Sequence, residues 1–374
     1  MLQGIRVVDF TRLLPGPYAT RLLAEMGAEV IKIEAREGGD YTRWWPPLVG
    51  DPPMSGAFAE LNAGKKSVAL DLRSSLAQDA LRRLVATADV LVDSYRPGVL
   101  AKMGVDPLLM RAASPRLIYC AITGYGLDGP DASRAGHDVG YLGRGGIASL
   151  SGSSSTPLTL GIQVADVGAS LVAVSGICAA LYRREKTGRG GVVDTSLLES
   201  GMAFGALSFG VSSAGDKVVR GDQILDGSRP CYGIYPCSDG RFLAVGALEP
   251  KFWKAFVDAV GLSHLADSGL DGGDAGSRVR AEVTARLATR TRDAWTALFR
   301  TVDACVEPVL DLDEVAADPH VVARASVSPS GYVRSPIRLD GDVPSLHRAP
   351  DLGADTRSVL TSLGLESSAI DQLL

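Results

Sequence analysis

The sequence predicts an α/β fold, doubly wound through its first half, followed by a smaller α+β segment with its own core. Three observations carry this. Short β-rich runs alternate with helical stretches up to about residue 125, the pattern of a parallel sheet with crossover helices. Near residue 230 the pattern changes to two β runs around an Asp-Gly turn, then amphipathic helices. The length, 374 residues with 46% hydrophobic, suffices for two such cores.

The elements follow in order. "IRVVDF" is a strand, "LLPGP" a loop, and "PYATRLLAEMG" a helix with Pro17 in its first turn and Gly27 as its stop. "AEVIKIE" is the second strand of a βαβ unit, so the two strands are expected to be parallel. "KKSVALDL" is a strand, "AQDALRRLVATA" a helix with apolar residues at helical spacing, and "DVLVDSY" a strand. "RPGVLAKMG" opens a turn and helix, and "RLIYCAITGYG" is a strand running into a glycine turn. Asp166 is expected just before a long helix that ends in basic residues, with Gly188 as its stop. In the second half, "CYGIYPC" and "RFLAVGAL" form a hairpin around Asp239-Gly240, and "EPKFWKAFVDAVG", "RVRAEVTARLA" and "TRDAWTALFRTV" are helices.

Composition excludes several classes. A net charge of −5 argues against nucleic acid as a partner. The five cysteines are scattered, with no metal-ligand spacing, and read as reduced thiols of a cytoplasmic protein that needs no metal. The N-terminus lacks the pattern of a signal peptide. The most apolar helical stretch, Val167 to Tyr182, is too short to span a bilayer, so no membrane partner is expected. Glu34 ends the second strand, where a dinucleotide fold keeps a ribose-binding acid. The first βα turn contradicts that use: it lacks G-x-G-x-x-G, and Pro15 and Pro17 remove N–H groups a pyrophosphate would need. A later partial match, Gly143 to Ala148, runs into the loop "SLSGSSSTP" rather than a helix.

"RVVDFTRLLPGPYATRLLAEMGAEVIKIE", "GGDYTR", "LNAGKKSVALDL", "ADVLVDSYRPGVLAKMG", "RLIYCAITGYGLDGP", "LYRREKTGRGGVVDTSLLES" and "RAPDLGADT" occur in that order almost end to end. In them the chain resembles the family III CoA-transferases (CaiB/BaiF-like), and within these the α-methylacyl-CoA racemase branch. The resemblance implies a large Rossmann-like CoA-binding domain from residues 1–200 and 325–374, a small α+β domain from 225–324, and a linker over 201–224. It implies an interlocked homodimer whose site is shared between chains, an isomerase of lipid metabolism, and no cofactor beyond the CoA of its acyl-CoA substrate.

Three residues are the catalytic candidates. Racemases resemble this chain in a Gly-His-Asp triplet, here Gly136-His137-Asp138, an aspartate here at Asp166, and a glutamate here at Glu249. Taken alone, each has an ordinary structural reading: a satisfied histidine, a helix cap, a first-turn charge. Together they suit epimerisation at C2, which needs one proton-transferring group on each face. Histidine, near pKa 6.5, takes the proton and protonated Asp166 returns one, or the reverse. The first N–H groups after Asp166 are expected to hold the enolate oxygen, and Glu249 to orient His137 from the partner chain. The runner-up is CoA transfer with Asp166 as nucleophile, and a third reading is CoA binding without catalysis.

The resemblance also implies CoA contacts. Arg36, Arg73, Arg96 and Lys102 are candidates for its phosphates, with Arg36 beside Ala35, where relatives carry an arginine. Leu70, Asp71, Leu72 and Tyr95 are candidates for the adenine, and Gly136, Asp138 and Tyr141 also fall in the binding set. From the residues alone, Lys65, Lys66 and Arg73 read equally well as solvated charges, and "LDL" as a core strand end. Leu14 stands where an oxalate-using transferase has a polar ligand, and "MAFGALSFGV" has one methionine where some racemases have a methionine-rich acyl surface.

Overall fold

Strand β1 (Arg6–Phe10) is almost wholly buried, as a central parallel strand must be, with Asp9 its one buried charge. Helix α1 (Pro15–Glu25) and strand β2 (Glu29–Ala35) complete the expected βαβ unit, with Val7 beside Val30 in a parallel ladder. The helix starts at Pro15, two residues early, because a first-turn N–H has no intrahelical partner and proline loses nothing there. The computed structural model describes residues 1–343, 345 and 347–374.

Four more strands join: β3 (Lys66–Leu70), β4 (Val90–Asp93), β5 (Ile118–Thr123) and β6 (Val192–Ser196). The sheet order is β3-β2-β1-β4-β5-β6 and every pairing is parallel. This is the doubly wound Rossmann order, and it reverses direction between β1 and β4, which opens a crevice at their carboxyl ends. Helix α2 (Ser75–Ala86) packs Ala77, Leu81 and Leu84 onto one face, beside Val359, Leu360, Ile370 and Leu373 of the last two helices. Helix α3 (Asp138–Arg144) and the long α4 (Val164–Thr187) complete this part of the fold. Helix α4 is 24 residues, longer than the stretch expected from sequence, and by length and composition it is long and apolar enough to cross a membrane. Here half of that stretch is buried, and its buried Arg184 pairs with Asp89 at 2.8 Å.

The chain divides into two compact units: residues 1–145, 160–204 and 319–374, and residues 146–159 and 205–318. The first therefore draws on both ends of the chain. Residues 146–159, counted with the large domain in the sequence reading, cluster with the second unit, and the expected linker contains a helix, Ala206–Ser213.

The second unit holds β7 (Tyr232–Pro236), β8 (Phe242–Gly246) and β9 (Val306–Pro308) in an antiparallel sheet. Gly240 takes a φ of +75° in the hairpin turn, where an L side chain would be strained. Helix α5 (Pro250–Ala259) and helices Gly273–Leu287 and Arg292–Phe299 cover it. Trp253, Phe256, Trp295 and Phe299 form its core. Both indole N–H groups are satisfied at 2.8 Å, by the Leu265 and Leu287 carbonyls, so the rings bury at no polar cost.

Candidate active site

The crevice predicted by the strand order is occupied by cavities. After β1 the chain turns sharply, and Leu13 takes a φ of +67°, a strained conformation for a leucine. A buried charge network holds the turn. Asp9 accepts from the Thr11 N–H at 2.8 Å and the Thr20 hydroxyl at 2.6 Å, and pairs with Lys65 at 3.1 Å. Lys32 donates to the Thr11 carbonyl at 2.8 Å and pairs with Asp40 at 3.1 Å, tying the β1–α1 loop to the short turn Tyr41–Trp44. Burial opposes the Asp9 charge, but Lys65 and Lys32 overcome it and hold the carboxyl below its ordinary range. Burial pulls Lys65 down to about 8 against the attraction of Asp9. Lys65 is thus a framework residue and not a solvated charge, whereas Lys66 pairs with Glu29 at the surface.

Three adjoining cavities open on this framework. The central one, about 280 Å³, is bordered by His137, Asp166, Tyr141, Gly136, Ser94 and Arg12. A second, about 440 Å³, shares Arg12 and Tyr95 with it and is bordered by Arg36, Leu70, Asp71, Leu72 and Arg73. A third, about 690 Å³, shares Leu13, Tyr41, His137 and Asp166 with the first and adds Leu14, Trp45, Ala57 and Leu61. One end of the row carries three arginines beside Glu37 and Asp71, the other is mostly apolar, and His137 and Asp166 stand at the junction.

Asp166 is the electrostatic centre. It is 8% exposed, and burial, then the charge of Asp138, pushes its carboxyl up to about 7. It lies inside the first turn of α4, not before it; the N-cap is Gln163, whose side chain caps nothing. Asp138 does the capping from 27 residues away. Its Oδ1 accepts from the N–H groups of Ala165 at 2.7 Å and Asp166 at 3.1 Å. These two N–H groups thus have a carboxylate partner, and the first N–H after Asp166, expected to hold an enolate oxygen, is that of Val167 and bonds the Gln163 carbonyl at 3.0 Å.

The other candidates are placed as follows. His137 is exposed, at the N-cap of α3, next to Gly136. Arg36, Leu70, Asp71, Leu72, Arg73 and Tyr95 all border the second cavity, with Arg73 held by Asp71 at 2.8 Å. Arg96 borders a separate hollow with Asp93 and Tyr119, and donates to the Ser133 carbonyl at 3.3 Å. Lys102 is exposed at the end of the short helix Val99–Lys102, beside Met103, which does border the second cavity. Glu249 lies in the second unit, exposed at the N-cap of α5, where its side chain caps no N–H. Glu34 is closed to a ribose: it is buried and bound by Arg43 at 2.7 and 2.8 Å and by Ser67 at 2.7 Å. Among the described residues no three His, Cys, Asp or Glu side chains converge as metal ligands.

Sequence reading missed Arg12, whose guanidinium lies 4.6 Å from the Tyr95 ring centroid and borders two of the cavities. The rule that ligands bind where a doubly wound sheet reverses, applied to the residue just after β1, would have found it. Tyr41 and Trp45, which wall the apolar cavity, carried no such signal.

Residues 2–356 match CoA-transferase family III. The chain is similar to a human protein named alpha-methylacyl-CoA racemase, 32% identical across all of this chain and 96% of that protein. It is also similar to a succinate–glutarate CoA-transferase of Agrobacterium fabrum, 34% identical over 97% of this chain and 95% of that one. Among solved structures it resembles a CAIB/BAIF family protein from Brucella suis, with a TM-score of 0.84 and 32% identity over 96% of this chain and 98% of that one.

Proposed function

This chain belongs to CoA-transferase family III, and on that premise we propose that it is a 2-methylacyl-CoA racemase. The observation that carries the reading is Asp166: a carboxyl raised to about 7, with no cation among the causes of its shift, bordering the same cavity as a histidine. Such a group holds or releases a proton near neutrality, as an acid–base partner must. The CoA nucleotide is assigned to the cavity of Arg36, Arg73, Leu70 and Tyr95, and the acyl group to the apolar cavity beyond Leu13. The thioester and C2 then fall at the junction between them.

The mechanism follows from that placement. Neutral His137 removes the C2 proton from one face, and the electron pair moves onto the thioester oxygen. Protonated Asp166 returns a proton to the opposite face, which inverts the centre. In the reverse direction the roles exchange. Asp138 adds to burial in keeping Asp166 protonated, and its carboxylate fixes the first turn of α4. Glu249 is proposed to orient the His137 imidazole from a second copy of the chain, setting its tautomer.

Incubation with single epimers of a panel of 2-methylacyl-CoAs in deuterated water tests the reading. Deuterium should enter C2 as the epimers interconvert. A panel without exchange, with Asp166 trapped by hydroxylamine during turnover in the presence of a carboxylic acid acceptor, would establish CoA transfer instead. That reading is favoured by the transferase among the similar proteins.

A further inference from the structure

We infer that the Tyr141 hydroxyl donates a hydrogen bond to the thioester oxygen as that oxygen gains charge, making Tyr141 a further catalytic residue. The inference rests on the CoA-ester reading above. An enolate needs a donor at its oxygen, and the N–H groups of Ala165 and Asp166 are bound to Asp138.

Tyr141 follows His137 by four residues on α3, and its N–H bonds the His137 carbonyl at 3.2 Å, so the two are set by one turn of backbone. Its ring meets Tyr125 edge-on, with centroids 5.2 Å apart. Two glycines from separate segments make room for it. A Cβ at Gly124 would lie 2.5 Å from the hydroxyl oxygen, and one at Gly136 would lie 2.8 Å from that oxygen and 2.6 Å from the ring. Real Cβ atoms do not approach so closely, so the sequence keeps both positions bare where the hydroxyl sits. The glycine before His137 thus serves the tyrosine.

Tyr141 is 5% exposed and borders the cavity of His137 and Asp166, yet among the described residues nothing hydrogen-bonds its hydroxyl. The side chain borders the cavity, so a substrate oxygen placed there would supply the hydroxyl with a partner. Burial, then Tyr125 and Asp166, push the phenol up to about 12, so it stays a neutral donor at neutral pH. In the reaction the C2–H pair forms the C1–C2 double bond and the carbonyl pair moves to oxygen. Tyr141 keeps its own proton throughout.

Tyr141→Phe keeps the ring and its packing against Gly136 and removes the hydroxyl alone. Exchange kcat should fall ~10²–10³-fold, the usual loss of one oxyanion donor. The loss should be equal from both epimers, because the enolate is common to both directions, with KM nearly unchanged. A variant that keeps more than about a third of wild-type exchange overturns the inference. So does a loss confined to one epimer, which would mean proton transfer, or one wholly in KM, which would mean CoA positioning. Absence of exchange in the wild type overturns the racemase reading instead. Tyr141 is then judged on CoA transfer, where the same oxygen becomes an oxyanion as a carboxylate adds, and an unchanged transfer kcat in Tyr141→Phe refutes it.

Discussion

Asp166→Asn should stabilise the protein, by an amount that grows as pH rises from about 4 to about 7. Asp166 is buried and its carboxyl is raised from 3.8 to about 7. Between those values the folded protein keeps a proton that the unfolded chain has lost. The folded state binds more protons, so stability falls as pH rises through this window and the loss is complete above about 7. A gap that wide corresponds to about 4 kcal/mol, of which roughly a third is already lost at pH 5. Asparagine has nearly the same volume and no charge to bury. Urea unfolding of both proteins at pH 5 and pH 8.5 should show the advantage of Asp166→Asn growing by about 2–3 kcal/mol, even as catalysis is lost. Stability curves that run parallel from pH 5 to 8.5 would refute the idea that folding raises this carboxyl, and with it the proton-carrying role.

Replacing His137 with alanine should cut exchange from one epimer by ~10²–10⁴-fold and affect the other far less, since each base serves one face; small equal losses would make His137 structural. Gly124→Ala should cost roughly 1–3 kcal/mol in urea unfolding, because its Cβ would meet the Tyr141 hydroxyl at 2.5 Å. Adding Tyr141→Phe should recover part of that cost, and strictly additive losses would refute the contact. Arg36→Ala combined with Arg73→Ala should raise KM for an acyl-CoA about tenfold or more with kcat little changed. It should leave the KM of an acyl-pantetheine, which lacks the nucleotide, unmoved; equal shifts for both would remove these arginines from the nucleotide site.

What the sequence made legible was local. The βαβ start reads directly because β1, α1 and β2 each carry their own periodicity and stop signals. The hairpin around Gly240 reads from its turn residues. His137, Asp166 and the residues that border the second cavity stand out in the sequence only through family resemblance, since a histidine or aspartate alone says little. What stayed hidden depends on contacts between distant positions. Asp138 caps a helix 27 residues away, so Asp166 was placed outside a helix it lies within. Lys65 reads as a surface charge because two of its three partners, Asp9 and the Pro17 carbonyl, lie far along the chain, and only Asn62 is near. Tyr41 and Trp45 gained meaning only when the turn they occupy was set against Leu13.

The most direct test follows the hydrogen at C2 through a single turnover. One epimer of a 2-methylacyl-CoA, fully deuterated at C2, is reacted in ordinary water with enzyme in excess, and the opposite epimer is analysed before it can react again. With His137 and Asp166 on opposite faces, the deuterium stays with the group that removed it and the new hydrogen comes from the other. The inverted product should therefore carry hydrogen at C2 and essentially no deuterium. An inverted product that retains the deuterium would mean that a single group carries the proton from face to face, and would contradict the two-base account.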